Sequence, residues 1–253
     1  MCLLVLAWRS HPDYPLILAG NRDERHARAS APASFWTDAP MVLAGRDLEA
    51  GGTWLGLTTG GRYSVVTNYR EGLDPAKAPR SRGKLTSDFL MGSMSAADYM
   101  GEVAAHAQEY GGFSLVCGDR DTLHYLSNRG PAPTAVSPGI HGLSNHLLDT
   151  AWPKVATAKA RLKLITETGA PTSEALFRLL ADRSPAEQGL PDTGIGTELE
   201  RRVSAAFVVD PHYGTRCSSL LLLHRDGSIR FAERRFDPSG EALETRSFHM
   251  AAA

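Results

Sequence analysis

Apolar residues run unbroken over Cys2–Trp8, and a second short run at 16–19 follows the turn-forming segment His11-Pro12-Asp13-Tyr14-Pro15. Runs this short and rich in Leu, Val and Ile read as buried strands, and the Pro-bearing turn between them predicts an antiparallel pair. Residues 53–57 and 63–68 predict two further strands across the Gly60-Gly61 turn. A long loop with Pro and Arg then spans 69–82, and long loops inside compact domains are often functional. Next, Ser95 and Asp98 have the spacing of a capping box and predict a helix to about residue 109, after a shorter one near 85–91. Strands are expected at 113–117 and 123–127, followed by a Gly/Pro-rich connection to 143. Trp152, Val155, Leu162 and Ile165 recur at helical spacing behind Pro153, and a second helix is expected near 174–181. Strands at 206–209 and 215–224 close the pattern, with Asp226-Gly227 as a hairpin turn into 229–235. The order strands, helices, strands, helices, strands predicts an α+β fold, an αββα sandwich of two antiparallel sheets between helices. With no linker and no internal repeat, residues 1–253 form one domain.

Composition narrows the function. The chain has 253 residues, 42% of them hydrophobic, and a chain near this length buries about three quarters of its unfolded surface. Lys+Arg 27 against Asp+Glu 28 leaves a net charge of -1, so no basic field draws the protein to nucleic acid. The apolar runs are far short of the roughly 20 residues that cross a bilayer. Met1-Cys2-Leu3 lacks a cationic leader and Arg9 cuts the apolar stretch below export-signal length, so the chain reads as cytoplasmic, with no membrane span. Three cysteines, Cys2, Cys117 and Cys217, are odd in number and far apart, which argues against a disulfide framework. His141 and His146 make at best a weak metal pair, no HExxH occurs, and no metal is expected. Gly194-Ile195-Gly196 lacks the third glycine of a dinucleotide fingerprint and reads as a loop.

The chemistry-bearing candidates start at the second residue. Loss of the initiator Met before a small residue would leave Cys2 with its own α-amine, of ordinary pKa about 7.7–8.0, beside its thiol. One residue would then supply nucleophile and base; the alternative is a small apolar side chain opening a strand. Asn21-Arg22-Asp23-Glu24 follows the second run. It is either a solvated turn or a set in which Asp23 or Glu24 holds the amine and Arg22 stabilises a thiolate or an anionic group. Of only four asparagines, Asn128 sits in a turn-like Ser127-Asn128-Arg129-Gly130, whereas Asn68 and Asn145 each end a strand-like segment. There they are either backbone caps or amide donors to an oxyanion. Cys117 and Cys217 fall in apolar strand patterns and read as core, and Trp54, among glycines, is core or pocket wall.

Taken in order, Met1-Cys2, Asn21-Arg22-Asp23-Glu24, Gly51-Gly52-Thr53-Trp54-Leu55-Gly56, Thr67-Asn68-Tyr69-Arg70, Ser81-Arg82-Gly83, Leu143-Ser144-Asn145, Trp152-Pro153-Lys154 and Tyr213-Gly214-Thr215-Arg216 resemble the NRDE, or transport and Golgi organisation 2 (TANGO2-like), family. The resemblance covers nearly the whole chain. It implies the N-terminal nucleophile hydrolase fold and, more distantly, similarity to penicillin V acylases and bile salt hydrolases, in which a catalytic Cys opens the mature chain. Carried over on that basis, Cys2 is the nucleophile, Asn145 the oxyanion donor and Asn68 a donor lining the site. The acylase pattern Gly-Arg-Asn-x-Asp stands here as Gly20-Asn21-Arg22-Asp23-Glu24, which leaves the register of the Arg and the acid open. The late catalytic Arg of those acylases falls near Ser204, unless Arg216 replaces it. Two readings follow. One is a Cys-dependent amidohydrolase acting on an acyl amide with no cofactor, using Cys2, Arg22, Asp23, Asn68 and Asn145, with Trp54 and Arg216 against the substrate. The other is a non-catalytic protein that binds and carries haem, acyl-CoA or another lipid.

Overall fold

The two faces of one short strand divide the molecule. In the computed structural model, which describes residues 2–72 and 78–252, strand β1 (Cys2–Trp8) sends Leu4, Leu6 and Trp8 to one side and Leu3, Val5 and Ala7 to the other. Both sides are buried, so the run is continuous and not alternating. In chain order there follow β2 (Leu16–Arg25), β3 (Ser30–Phe35), β4 (Val42–Asp47), β5 (Leu55–Thr58), β6 (Tyr63–Asn68), α1 (Arg82–Met91) and α2 (Ala96–Ala105). Next come β7 (Phe113–Gly118), β8 (Leu123–Ser127), β9 (Thr134–Ala135), β10 (Gly139–Leu143), α3 (Pro153–Thr168), α4 (Ser173–Leu180) and α5 (Thr197–Arg202). The closing strands are β11 (Tyr213–Leu223), β12 (Ile229–Phe236) and β13 (Ala242–Met250).

One sheet runs β10-β1-β2-β11-β12-β13 and the other β3-β4-β5-β6-β7-β8-β9, with antiparallel neighbours throughout. Leu4, Leu18, Leu43, Leu57, Val116, Leu221 and Phe231 fill the space between the sheets. Helices α3 and α4 cover the outer face of the first sheet through Val155, Leu162, Leu176 and Leu180, packed on Leu3, Val5 and Ile17. On the far side α1 and α2 lay Leu85, Phe89 and Met100 against Val66, Phe113 and Leu115. The arrangement is the expected αββα sandwich. Among the described residues no helix is long and apolar enough to cross a membrane.

Several expected elements differ in extent. The second strand does not stop at residue 19 but runs to Arg25, because β2 is hydrogen-bonded on both sides, to β1 and β11, and can carry polar residues inside the sheet. The expected strand at 206–209 is buried coil: Phe207 N–H bonds the Asp182 carbonyl, and Val208 exchanges backbone and side-chain bonds with Thr215. Ala206, Phe207 and Val208 serve burial, Val209 is exposed, and no ladder forms. Helix α2 starts at its Ser95 cap, whose Oγ accepts from Asp98 N–H at 3.1 Å, but ends at Ala105 before a 3-10 turn over Ala107–Glu109. Strands β9 and β10 lie in the stretch expected to be a Gly/Pro-rich connection, and β3, β4, β13 and α5 lie where the pattern predicts no element. Part of the expected 69–82 loop, residues 73–77, lies outside the described residues.

Candidate active site

Strand register places Cys2 opposite Arg22 on β2, and Arg22 opposite Cys217 on β11. By strand alternation Cys2 and Arg22 share the face that looks between the sheets, with Leu4, Leu18 and Leu16. Asn21 is on the opposite face. Its amide donates to the Leu180 and Ala206 carbonyls at 2.9 and 2.8 Å and accepts from Ser218 Oγ at 2.6 Å, which ties β2 to the helical layer. None of the first three residues of the Asn-Arg-Asp-Glu run is solvated: Asn21, Arg22 and Asp23 are 3%, 6% and 3% exposed. The turn reading is therefore corrected, and the open register is settled with Arg22 beside Cys2.

Cys2 is held from the side by β10 and the residues after it. Its backbone N–H donates to Asn145 Oδ1 at 3.1 Å, and Ser144 Oγ donates to its carbonyl at 2.9 Å. Asn145 adopts φ 53°, the left-handed conformation Asn tolerates better than most residues, and this turns its amide back toward β1. Its Nδ2 donates to the Asn68 carbonyl at 2.9 Å, so the amide bridges Cys2 and the end of β6. Sequence reasoning assigned that amide to an oxyanion; in the structure its oxygen faces the Cys2 nitrogen. Burial raises the Cys2 thiol above the ordinary range and the Asp23 carboxylate adds to this, while a hydrogen bond from the Asp23 backbone and the Arg22 charge oppose it. Met1, whose removal the nucleophile reading requires, lies outside the described residues.

Arg22 stacks over Trp54, its guanidinium carbon 4.5 Å from the ring centroid, and reaches Asp47 at 3.5 Å and Glu24 at 3.9 Å. Its Nη1 is buried and has no hydrogen-bond partner among the described residues. Asp47 is fixed by Arg28 at 2.5 Å and by the N–H groups of Glu49 and Ala50, and these hold its carboxyl below the ordinary range although burial pushes it up. Asp23 accepts from Thr215 Oγ1 at 2.7 Å. Burial holds its carboxyl above the ordinary range against the charge of Lys154, that hydrogen bond and the charge of Arg22. Lys154, the second residue of α3, is 6% exposed and donates to the Val203 carbonyl at 2.9 Å. Burial pushes its ammonium down to about 8, with Asp23 opposing.

Of these groups Cys2, Arg22, Asp23, Glu24, Arg28 and Asp47 line a cleft of about 460 Å³, together with Trp54, Asn68 and Arg82 among others. Behind Cys2 a separate cavity of about 10 Å³, walled by Leu4, Leu55 and Val65, is no larger than one water. Arg216 is not in the cleft wall. The ladder between β2 and β11 shifts register between Thr215 and Cys217, leaving Arg216 as the extra residue of a bulge, which re-aims its side chain. Its Nη1 donates to the carbonyls of Arg25, His26 and Arg28, which corrects its expected place at the substrate. Ser204, the other position considered for a late Arg, instead caps the Arg201 carbonyl and accepts from Ala186 N–H. The two histidines are engaged separately, His141 with Asp149 and His146 with Tyr69 and Thr150. Among the described residues no group of three His, Cys, Asp or Glu side chains is placed to hold a metal. Sequence reasoning missed Lys154 and Arg82 as site residues; both stood inside motifs that had been singled out, but neither residue type at its position carries a chemical signature alone.

The family model for "Transport and Golgi organisation 2" matches residues 1–238. The chain is 36% identical over 277 residues to the transport and Golgi organization protein 2 homolog of Bos taurus, covering 99% of each. It is 34% identical to the human homolog, at 99% of each chain, and 28% identical to the Drosophila melanogaster protein, at 97% of this chain and 96% of that one. Among solved structures, a mutant of the conjugated bile acid hydrolase of Clostridium perfringens aligns with TM-score 0.53 at 8% identity, covering 99% of this chain and 92% of that one. The Caenorhabditis elegans ortholog of N-acylethanolamine-hydrolyzing acid amidase aligns with TM-score 0.51 at 12% identity, over 87% and 92% of the two chains. Penicillin V acylase from Agrobacterium tumefaciens gives 0.51 at 11%, over 97% and 90%. The fold is that of the N-terminal nucleophile hydrolases.

Proposed function

Since the chain belongs to the Transport and Golgi organisation 2 family and has this fold, we propose that it is a cytoplasmic cysteine amidohydrolase acting on an acyl amide. The observation that carries the reading is the presence of Cys2 in the cleft wall with its nitrogen on Asn145 Oδ1. Once Met1 is removed, that nitrogen is an α-amine, oriented by Asn145 and able to take the thiol proton. The buried thiol needs such a base, because burial raises it. The Sγ then attacks the acyl carbonyl, and the developing oxyanion is stabilised by the Asn68 amide and by the second hydrogen of Asn145 Nδ2, whose first is held by the Asn68 carbonyl. The ammonium returns its proton to the leaving amine as the C–N bond breaks, and water releases the acyl group from sulfur.

A second reading has its own observation. The raised thiol, together with Arg22 stacked on Trp54, suits an amphipathic anionic cargo such as haem or an acyl-CoA held without turnover. Intact mass, brief alkylation and an acyl-amide panel separate the two. For the hydrolase, Met1 is absent, Cys2 labels before the buried Cys117 and Cys217, and Cys2→Ser abolishes turnover while ligand binding persists. Burial pushes Cys117 up to about 12 and Cys217 well above the ordinary thiol range, so neither competes as a thiolate. Retention of Met1, equal labelling of all three thiols, and haem binding indifferent to Cys2→Ser with no amide cleaved would leave only the carrier.

A further inference from the structure

Helix α1 opens onto the cleft without a cap. Its first residue is Arg82, the Ser81 side chain makes no capping hydrogen bond, and no acidic residue lies in its first turn. Ser81, Arg82 and Gly83 line the same cleft as Cys2. A helix N-terminus of this kind presents backbone N–H groups and a partial positive charge, and here the guanidinium groups of Arg22 and Arg82 line the same cleft. Arg22 is 6% exposed, lines the cleft, pairs through Nη2 with Asp47 at 3.5 Å, and leaves Nη1 with no hydrogen-bond partner among the described residues. Arg82 donates from Nη1 to the Gly112 carbonyl at 3.1 Å and makes no ion pair among the described residues. The other cationic side chains of the wall are spent: Arg28 on Asp47 and Glu49, Arg80 on Glu109. The acids are committed too: Asp47 to Arg28, two backbone N–H groups and, at 3.5 Å, Arg22 Nη2; Asp23 to Thr215 Oγ1; and Glu24 to Arg25 N–H, with its contact to Arg22 a loose 3.9 Å. The small cavity behind Cys2 is no larger than one water, so a ligand lies in the main cleft, where these guanidinium groups stand.

We propose that the N-terminal turn of α1, with Arg82 and Arg22, is an anion-binding subsite for a carboxylate or phosphate carried by the small-molecule ligand of the Cys2 cleft. The fork of each guanidinium and the helix N–H groups match the several acceptor oxygens of such an anion. The subsite deepens the hydrolase reading, since it makes the substrate an acidic acyl amide, but anion binding itself needs no turnover.

The test is calorimetric titration of the full chain with N-acetylglycine, its neutral analogue N-acetylglycinamide, and inorganic phosphate. N-acetylglycine or phosphate should bind at least about tenfold more tightly than the neutral amide, and which of the two binds identifies the anion. Arg82→Gln should weaken that binding about tenfold or more and abolish the preference for the acid. Arg82→Lys, which keeps the charge and loses the fork, should fall between, with melting temperatures checking that both variants fold. Failure of both anions to bind, or anion affinity unchanged in Arg82→Gln and Arg82→Lys, overturns the subsite. Amide hydrolysis without an acid preference would overturn it while leaving the hydrolase reading intact. Anion binding with no amide cleaved would do the reverse.

Discussion

Asn145 is the residue on which the site geometry turns. It is 1% exposed, and its amide joins the Cys2 nitrogen to the Asn68 carbonyl while its own carbonyl accepts from Arg70 N–H. Asn145→Ala should lower turnover of any acyl substrate by on the order of 10²–10³, and should cost about 1–3 kcal/mol of stability by leaving buried backbone groups unpaired. Part of that cost is backbone strain at φ 53°, so Asn145→Gly should melt above Asn145→Ala yet be just as inactive. A folded Asn145→Ala protein with full turnover would make the residue a structural clamp. Scarcity of asparagine and a strand-ending position made Asn145 visible in the sequence. Its orientation was not visible, because the sign of φ at one residue decides whether the amide faces a ligand or the neighbouring strand. Arg216 was misplaced for a similar reason: one extra residue in β11 reverses where its side chain goes.

At the scale of elements, apolar continuity revealed β1, β6, β7 and β11, and helical spacing revealed α3, because each buries a long apolar face. Strand β13 stayed hidden since its exposed edge alternates mostly polar residues, and β10 because two glycines and a histidine break its apolar run. Burial of Asn21, Arg22 and Asp23 depends on strands almost 200 residues away and has no local signal. The placement of α1 rests on a glycine contact: a Cβ on Gly52 would lie 2.4 Å from the Gly83 carbonyl carbon and 2.5 Å from its oxygen. Those atoms are backbone, and Thr53 N–H bonds that same oxygen at 3.1 Å. Gly52→Ala should therefore push the first turn of α1 away from β5 and cost about 1–3 kcal/mol, read as a lower urea midpoint at unchanged slope. Wild-type stability in that variant would mean that α1 is docked by Leu85 and Phe89 alone.

The whole molecule carries two opposed sets of titrating groups, and together they shape its stability against pH. Burial pushes the Asp149 carboxyl up, but His141, Lys159 and the Gly142 N–H outweigh it and hold the group down to about 2. A depressed folded pKa gives stability that is present above the ordinary Asp value of about 3.9 and lost as pH falls toward 2. Partial exposure of the pair limits this to about 1 kcal/mol. Burial raises Glu233 and Asp23, so their neutral forms suit the fold and stability declines as pH rises past the ordinary carboxylate values. His141, raised by its bond to Asp149, contributes fully below about 6.5 and loses that contribution as pH rises through its folded value. The urea midpoint should thus climb from pH 2 to 4 and decline toward pH 7. Asp149→Asn should flatten the climb and Glu233→Gln the decline; a midpoint still rising between pH 5 and 7 would contradict the assignment. The topology has another consequence, one of timing. Cys2 is made well before the residues that hold it: its strand lies between β2 and β10, its nitrogen waits for Asn145, and Asp23 waits for Thr215 on β11. A ribosome therefore delivers the thiol long before its clamp and the partner of Asp23, so a chain ended ahead of β11 carries the cysteine without the surroundings that would put it to use.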